Sequence, residues 1–195
     1  MGIEVIQTRL ADVLLIEPQV YTDQRGFFKE TYNQQDYERA GITAGFVQDN
    51  LSRSTRGTLR GLHYQIEHPQ GKLIQVLAGT IFDVCVDLRQ GSPTFGQWLG
   101  VTLSADEHTQ LFIPPGFAHG FLVQSESADV FYKCTDVYSP QHERTLLWCD
   151  ENVGVNWPLE TKPVLSTKDA QGEVFSNLEY YPTTSEFRTP VGHRP

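Results

Sequence analysis

Cysteine is scarce in this chain and methionine nearly absent: Cys85, Cys134, Cys149 and one Met among 195 residues. An odd number of cysteines with no Cys-x-x-Cys pair excludes a disulfide framework and argues against a zinc knuckle, so reduced thiols and a cytoplasmic location are expected. Positive charge is also in deficit. Lys and Arg number 15 against 24 Asp and Glu, a formal net charge of -9. That excludes wholesale binding to nucleic acid or to an anionic membrane and leaves room only for a local basic pocket. No apolar run is long enough to span a bilayer, and Met1-Gly2-Ile3-Glu4 lacks the basic start of a secretory leader, so no membrane partner is expected. Repeats and low-complexity tracts are lacking too. What is there, 39% hydrophobic and 20% charged residues, is enough apolar material for one globular core.

Long helical periodicity is missing, and most of the chain alternates with period 2 instead. Strands are expected over 12–16, 26–31, 72–77, 80–88, 97–103, 111–113, 120–124 and 130–137, punctuated by Gly79, Gly91-Ser92-Pro93, Pro114-Pro115-Gly116 and Ser139-Pro140. Many short strands at this spacing favour an all-β sandwich or barrel over a βαβ fold. One helix stands out before the C-terminal part, Gln34 to Ala40, with Asn33 as its N-cap and Gly41 closing it. Beyond Trp157 the chain turns rich in Pro, Ser and Thr and is expected to wrap the barrel as short turns.

Two segments break the rule that a sandwich strand presents an apolar inner face. In residues 46–52, Gln48, Asn50 and Ser52 share one side while Val47, Asp49 and Leu51 share the other. In residues 58–65, a guanidinium, an imidazole, a phenol and an amide crowd together as Arg60, His63, Tyr64 and Gln65. Such strands suit either a solvated edge or the polar mouth of a barrel, and Leu59 and Leu62 favour the mouth. Arg60 and His63 have opposite parity on a flat strand. Both can face one pocket only if Gly61 marks a bulge or twist.

The second notable histidine is His119, in Ile113-Pro114-Pro115-Gly116-Phe117-Ala118-His119-Gly120-Phe121. The spacing P-x-G-x-x-H resembles the second half-motif of cupin barrels, and Gly57, His63 and Gly79 partly supply the first. A metal-binding cupin would carry a His-x-His pair and a Glu seven residues before Gly79. Here those places hold His63-Tyr64-Gln65 and Lys72. An ammonium where a carboxylate ligand belongs opposes a divalent cation, so no metal is expected. The remaining kit is a histidine that titrates near neutrality, a lysine able to stabilise an oxyanion, and Tyr132 able to return a proton. It suits proton abstraction next to a carbonyl. Taken singly, His63 or His119 reads as a structural histidine, Lys72 as a solvated strand-end charge, and Tyr132 as a core aromatic. Asp83, on the side of Ile81 and Cys85, reads equally as support for Lys72 or as a solvent-facing charge.

Several blocks together resemble the dTDP-4-dehydrorhamnose 3,5-epimerase family. They are Asp23-Gln24-Arg25-Gly26-Phe27-Phe28-Lys29-Glu30, Gln48-Asp49-Asn50-Leu51-Ser52, Leu59-Arg60-Gly61-Leu62-His63-Tyr64-Gln65, Ser92-Pro93-Thr94-Phe95-Gly96 and the segment around His119. Tyr132-Lys133, Tyr138-Ser139-Pro140 and Trp157-Pro158 extend the match over most of the chain. The resemblance implies a cupin-type jelly roll with a few short helices as one domain over residues 1–182, and the last stretch, 183–195, is expected from its position and composition to be a mobile tail. It implies a homodimer, no metal and no organic cofactor, and action on dTDP-4-dehydro-6-deoxy-D-glucose.

Carried over by position, His63 resembles the family's catalytic base and Asp169 its aspartate partner. Tyr132 resembles the general acid, and Lys72 the group that stabilises the C4 enolate. Arg25, Glu30, Gln48, Asn50, Arg60, His119, Glu143 and Lys168 match substrate-binding positions, and Tyr138 matches the residue stacked on thymine. Arg25 and Arg60 suit the diphosphate, since a guanidinium fork fits phosphate oxygens. The resemblance also implies that the segment around Arg25 and Glu30 reaches the neighbouring subunit's site. Two other functions fit the same residues: inversion of C3 or C5 alone, or nucleotide-sugar binding without catalysis.

Overall fold

Period-2 alternation yields antiparallel strands wherever one face can be buried. The computed structural model describes residues 2–182, and the expected tail at 183–195 lies outside them. A six-stranded sheet has the order β1-β2-β10-β7-β12-β5. Its strands are β1 (Ile3–Gln7), β2 (Leu14–Pro18), β10 (Gln110–Ile113), β7 (Lys72–Ala78), β12 (Ser127–Cys134) and β5 (Gln48–Thr55). It faces a five-stranded sheet of order β13-β6-β11-β8-β9. That sheet is built from β13 (Glu143–Thr145), β6 (Leu59–Gln65), β11 (Phe117–Val123), β8 (Thr80–Asp87) and β9 (Trp98–Ser104). A hairpin of β3 (Val20–Asp23) and β4 (Gly26–Lys29) forms a separate two-stranded sheet. The result is a jelly roll of the expected cupin type.

The alternation sorts the apolar residues into three layers. Ile74, Val76, Ile81, Cys85, Leu103, Leu111, Phe121 and Val130 fill the space between the sheets. Val84, Val86, Leu59, Leu62 and Tyr64, on the opposite face of the five-stranded sheet, pack under Trp157, Leu178 and Tyr181 of the C-terminal segment. That segment lies against the five-stranded sheet, held by parallel bridges Thr58–Val164, Leu146–Glu173 and Arg89–Tyr181. Leu14, Ile16, Leu73 and Phe112 form the third layer with Tyr37 of α1 (Gln34–Arg39) and Ile42. The Asn33 side chain accepts from the Gln35 amide at 3.1 Å, the expected cap.

Boundaries differ from expectation where burial ends. The strand expected over 130–137 stops at Cys134, and the one expected over 26–31 stops at Lys29. β1 and β3 were not expected, because neither buries a continuous apolar face. All three cysteines are free thiols. No helix among the described residues is long and apolar enough to cross a membrane.

Candidate active site

At one end of the sandwich the two sheets part around a cleft of about 350 Å³. Its floor is polar because of parity. Lys72 shares its side of β7 with Ile74 and Val76 but sits at the strand start, where the interior opens. Tyr132 follows Val130 on the inner side of β12, and His119 lies between Phe117 and Phe121 on the inner side of β11. On β5 the even-numbered residues turn inward, which places Gln48, Asn50 and Ser52 on the cleft wall. Their odd-numbered neighbours Val47 and Leu51 are left about 60% exposed, at 62% and 64%.

β6 reaches the cleft through an irregularity. His63 pairs with His119 and Arg60 with Phe121, so two residues of β6, Gly61 and Leu62, oppose one of β11, Gly120. The extra residue is Gly61, at φ +119°, and the bulge turns both Arg60 and His63 inward, as their parity required. A Cβ on Gly61 would stand 2.5 Å from Gly120 Cα and 2.7 Å from the His119 carbonyl oxygen. Only glycine permits this approach of the two strands.

His63 Nε2 lies 2.6 Å from Asp169 Oδ1. Asp169 sits behind the histidine in the short helix α2 (Thr167–Ala170). Ser166 caps that helix: its Oγ accepts from the Asp169 amide at 3.1 Å and donates to Asp169 Oδ2 at 2.7 Å. Burial alone would raise the Asp169 carboxyl, but the hydrogen bonds from His63 and Ser166 hold it below the ordinary carboxylate range. An ionised carboxylate only accepts, so it keeps the His63 proton on Nε2 and leaves Nδ1 as the basic nitrogen.

Lys72 is buried, and burial pushes its ammonium down from the usual lysine range, opposed by Cys134, Glu143 and Asp83. Burial raises the Tyr132 phenol, as do Cys134 and Glu143, while the Arg60 guanidinium pulls it back. A phenol held protonated is a proton donor. Arg60 is fastened by its Nε to Ser54 Oγ at 2.9 Å. At the rim, Glu143 accepts from Tyr138 Oη and from Lys168 Nζ, both at 2.8 Å. Burial would raise the Glu143 carboxyl, yet these two donors hold it low.

The structure therefore brings together His63, Lys72, Tyr132, Gln48, Asn50, Arg60, His119, Tyr138, Glu143 and Lys168 around one cleft, with Asp169 behind it. It does not bring Arg25 or Glu30 there. Arg25 lies on the β3–β4 hairpin, 86% exposed and paired with Asp23 at 2.6 Å, and Glu30 accepts from Asn33 at 3.5 Å. Asp83 is fully buried and bonded to His119, which overturns the solvent-facing alternative. Gln65 and Gln70 also line the cleft and were not singled out as site residues. Gln65 accepts from the Ser139 amide at 2.8 Å and so holds the rim.

The sequence profile described as dTDP-4-dehydrorhamnose 3,5-epimerase matches residues 7–177. A dTDP-4-dehydrorhamnose 3,5-epimerase from Pseudomonas aeruginosa is 56% identical over 178 residues, 90% of this chain and 98% of its own. The crystal structure of an epimerase from Legionella pneumophila, in complex with dTDP-4-keto-L-rhamnose, is 50% identical with a TM-score of 0.89, over 91% of this chain and 95% of that one. ChmJ, a 3'-monoepimerase from Streptomyces bikiniensis in complex with dTDP-quinovose, is 31% identical with a TM-score of 0.85, over 94% and 93%.

Proposed function

This chain belongs to the dTDP-4-dehydrorhamnose 3,5-epimerase family, and we propose from that premise that it converts dTDP-4-dehydro-6-deoxy-D-glucose to dTDP-4-dehydro-L-rhamnose. The C4 ketone acidifies the hydrogens on C3 and C5. His63 Nδ1 removes one of them, and Asp169 stabilises the imidazolium that forms, in the manner of a histidine–aspartate pair. Lys72 receives the negative charge developing on the C4 oxygen. Tyr132 delivers a proton to the other face, and once His63 has released its proton to solvent and Tyr132 has regained one, the sequence repeats at the second carbon.

The observation that carries this reading is the placement of the base and the acid. His63 projects from the five-stranded sheet and Tyr132 from the six-stranded sheet. Inversion requires a proton acceptor on one side of the ring and a donor on the other, because a single group returning its own proton restores the starting centre. Arg60 suits the diphosphate, Tyr138 the thymine ring, and Gln48, Asn50, His119, Glu143 and Lys168 the polar groups between them.

We place Arg25 and Glu30 in a second subunit's cleft. Tyr21, Phe27 and Phe28, 48%, 60% and 60% exposed, flank Arg25 on the same hairpin, and an apolar patch of this kind marks a protein contact. A homodimer with exchanged hairpins would cover it. Reduced thiols agree with a cytoplasmic enzyme.

The test is incubation of purified protein with the 4-keto sugar in deuterium oxide, without added metal or nicotinamide. Deuterium at both C3 and C5, with inverted products by NMR, is the expected result. Absence of exchange at either carbon overturns it. The likeness to a 3'-monoepimerase favours a second reading, single-centre inversion, which would label one carbon alone.

A further inference from the structure

A chain of hydrogen bonds along one wall of the cleft runs in a single direction. The Tyr138 backbone N–H donates to Gln48 Oε1 at 2.8 Å. Gln48 Nε2 donates to Asn50 Oδ1 at 3.1 Å, and Asn50 Nδ2 donates to Cys134 Sγ at 3.5 Å. The two ends of a side-chain amide are told apart by their partners, and here the backbone settles the matter. A peptide N–H can only donate, so the Gln48 atom facing Tyr138 is the oxygen. The Gln48 amino group therefore faces Asn50, which must answer with its own oxygen, and the Asn50 amino group is left to face the thiol. Sulfur closes the chain as an acceptor.

Strand geometry explains why a cysteine reaches Asn50. Cys134 stands opposite Gln48, and Tyr132 opposite Asn50, in the β5–β12 ladder. Alternation puts the buried Cys134 on the same inner side of β12 as Val130 and Tyr132. The contact with Asn50 is thus diagonal between neighbouring strands. Burial pushes the thiol up, against the pull of Lys72 and Asn50, so near neutrality it stays an uncharged S–H. As packing, a thiol does no more than a small apolar side chain. What distinguishes it here is a lone pair within reach of an amide. Gln65 makes the contrast. Its oxygen accepts from the Ser139 amide at 2.8 Å, and its amino group donates to the His68 and Val137 carbonyls at 2.7 and 3.3 Å, so both of its N–H groups are spent on the rim. Gln48 and Asn50 each spend one N–H in the chain and keep a second.

We propose that Cys134 is a positioning residue of the epimerase site: its thiol holds the Asn50 amide with the second N–H, rather than the oxygen, turned to the cleft, where it donates to an acceptor oxygen of the bound nucleotide sugar. The identity of that ligand rests on the epimerase reading, whereas the fixed amide belongs to the free protein. Without the sulfur lone pair only the bond from Gln48 holds the Asn50 side chain, and the β5 wall loses an aimed donor.

The experiment measures binding of dTDP-glucose by calorimetry. This probe carries the nucleotide and a hexose but no ketone, so it is not turned over. Cys134→Val keeps an apolar side chain of similar size and removes the acceptor, whereas Cys134→Ser keeps one. Cys134→Val should weaken binding about three- to tenfold, the worth of one uncharged hydrogen bond, and Cys134→Ser should stay within about twofold of the wild type. In an Asn50→Ala background Cys134→Val should have no further effect, since the thiol acts through Asn50. Unchanged binding in Cys134→Val overturns the proposal. So does a loss of the same size with and without the Asn50 side chain, which marks a packing role, and so does a loss in Cys134→Ser equal to that in Cys134→Val. Should Cys134→Val not fold, Cys134→Ala enters the same cycle under the same criteria. A wild-type protein that does not bind dTDP-glucose overturns both this assignment and the nucleotide-sugar reading. Coupled binding losses with no deuterium exchange defeat the epimerase reading alone, and exchange with independent losses defeats this one alone.

Discussion

His63 Nε2 and Asp169 Oδ1 stand 2.6 Å apart across 106 residues of chain. A strand in the middle of the sequence supplies the imidazole, and a one-turn helix in the C-terminal wrap supplies its carboxylate. Asp169→Asn should therefore leave the barrel intact and lower kcat by roughly 10³-fold or more, because an amide cannot stabilise the imidazolium and can present the wrong proton. Deuterium exchange at C3 and C5, compared with circular dichroism of the same sample, checks both halves. Unchanged kcat would remove Asp169 from the mechanism.

Tyr132→Phe separates abstraction from delivery. His63 still removes a proton, so deuterium should wash into recovered substrate, whereas inverted product should fall by about 10²- to 10⁴-fold. NMR of substrate and product from one reaction reads the two rates. Inversion at the wild-type rate would exclude the phenol as the acid.

Lys72→Met should lower kcat by about 10²- to 10³-fold through loss of the oxyanion partner, while raising thermal stability near neutral pH. The sign follows from burial. The ammonium is pushed down in the folded state, so between the folded value and the usual lysine value the unfolded chain binds more protons, and wild-type stability rises with pH there. The advantage of Lys72→Met in Tm should accordingly shrink as pH climbs toward the lysine range. Melting curves at pH 7 and at alkaline pH check this.

Gly61→Ala should destabilise the fold by about 3 kcal/mol or more, since the new methyl would meet Gly120 Cα at 2.5 Å and hold a left-handed backbone. Denaturant unfolding measures the loss. Surviving folded protein should lose activity as well, because the same bulge aims Arg60 and His63.

Tyr138→Ala should raise KM by about tenfold or more with a smaller effect on kcat, the expectation for a lost base-stacking ring. Saturation kinetics provide the check.

The strands that bury one face were legible in the sequence because alternation and burial coincide in them: β7, β8 and β9 fall where Lys72 to Leu77, Thr80 to Leu88 and Gln97 to Leu103 place them. β1 and β3 were not, since they expose too much of their surface for the pattern to reveal an inner side. The parity conflict between Arg60 and His63 pointed correctly to Gly61. Pairing of Asp169 with His63 came from the family resemblance alone, although Ser166 and Asp169 carry the Ser-x-x-acid spacing of a helix start. Asp83 stayed ambiguous because a charge among apolar neighbours has the same pattern whether a core strand bears it or an edge strand does.

The late arrival of the carboxylate has a consequence for biosynthesis. Every strand of both sheets is complete by Thr145, but a polypeptide still attached to the ribosome lacks the His63–Asp169 pair until α2 has emerged and docked against β6. Premature termination between these points would give a chain with all its strands and an imidazole, yet no competent base.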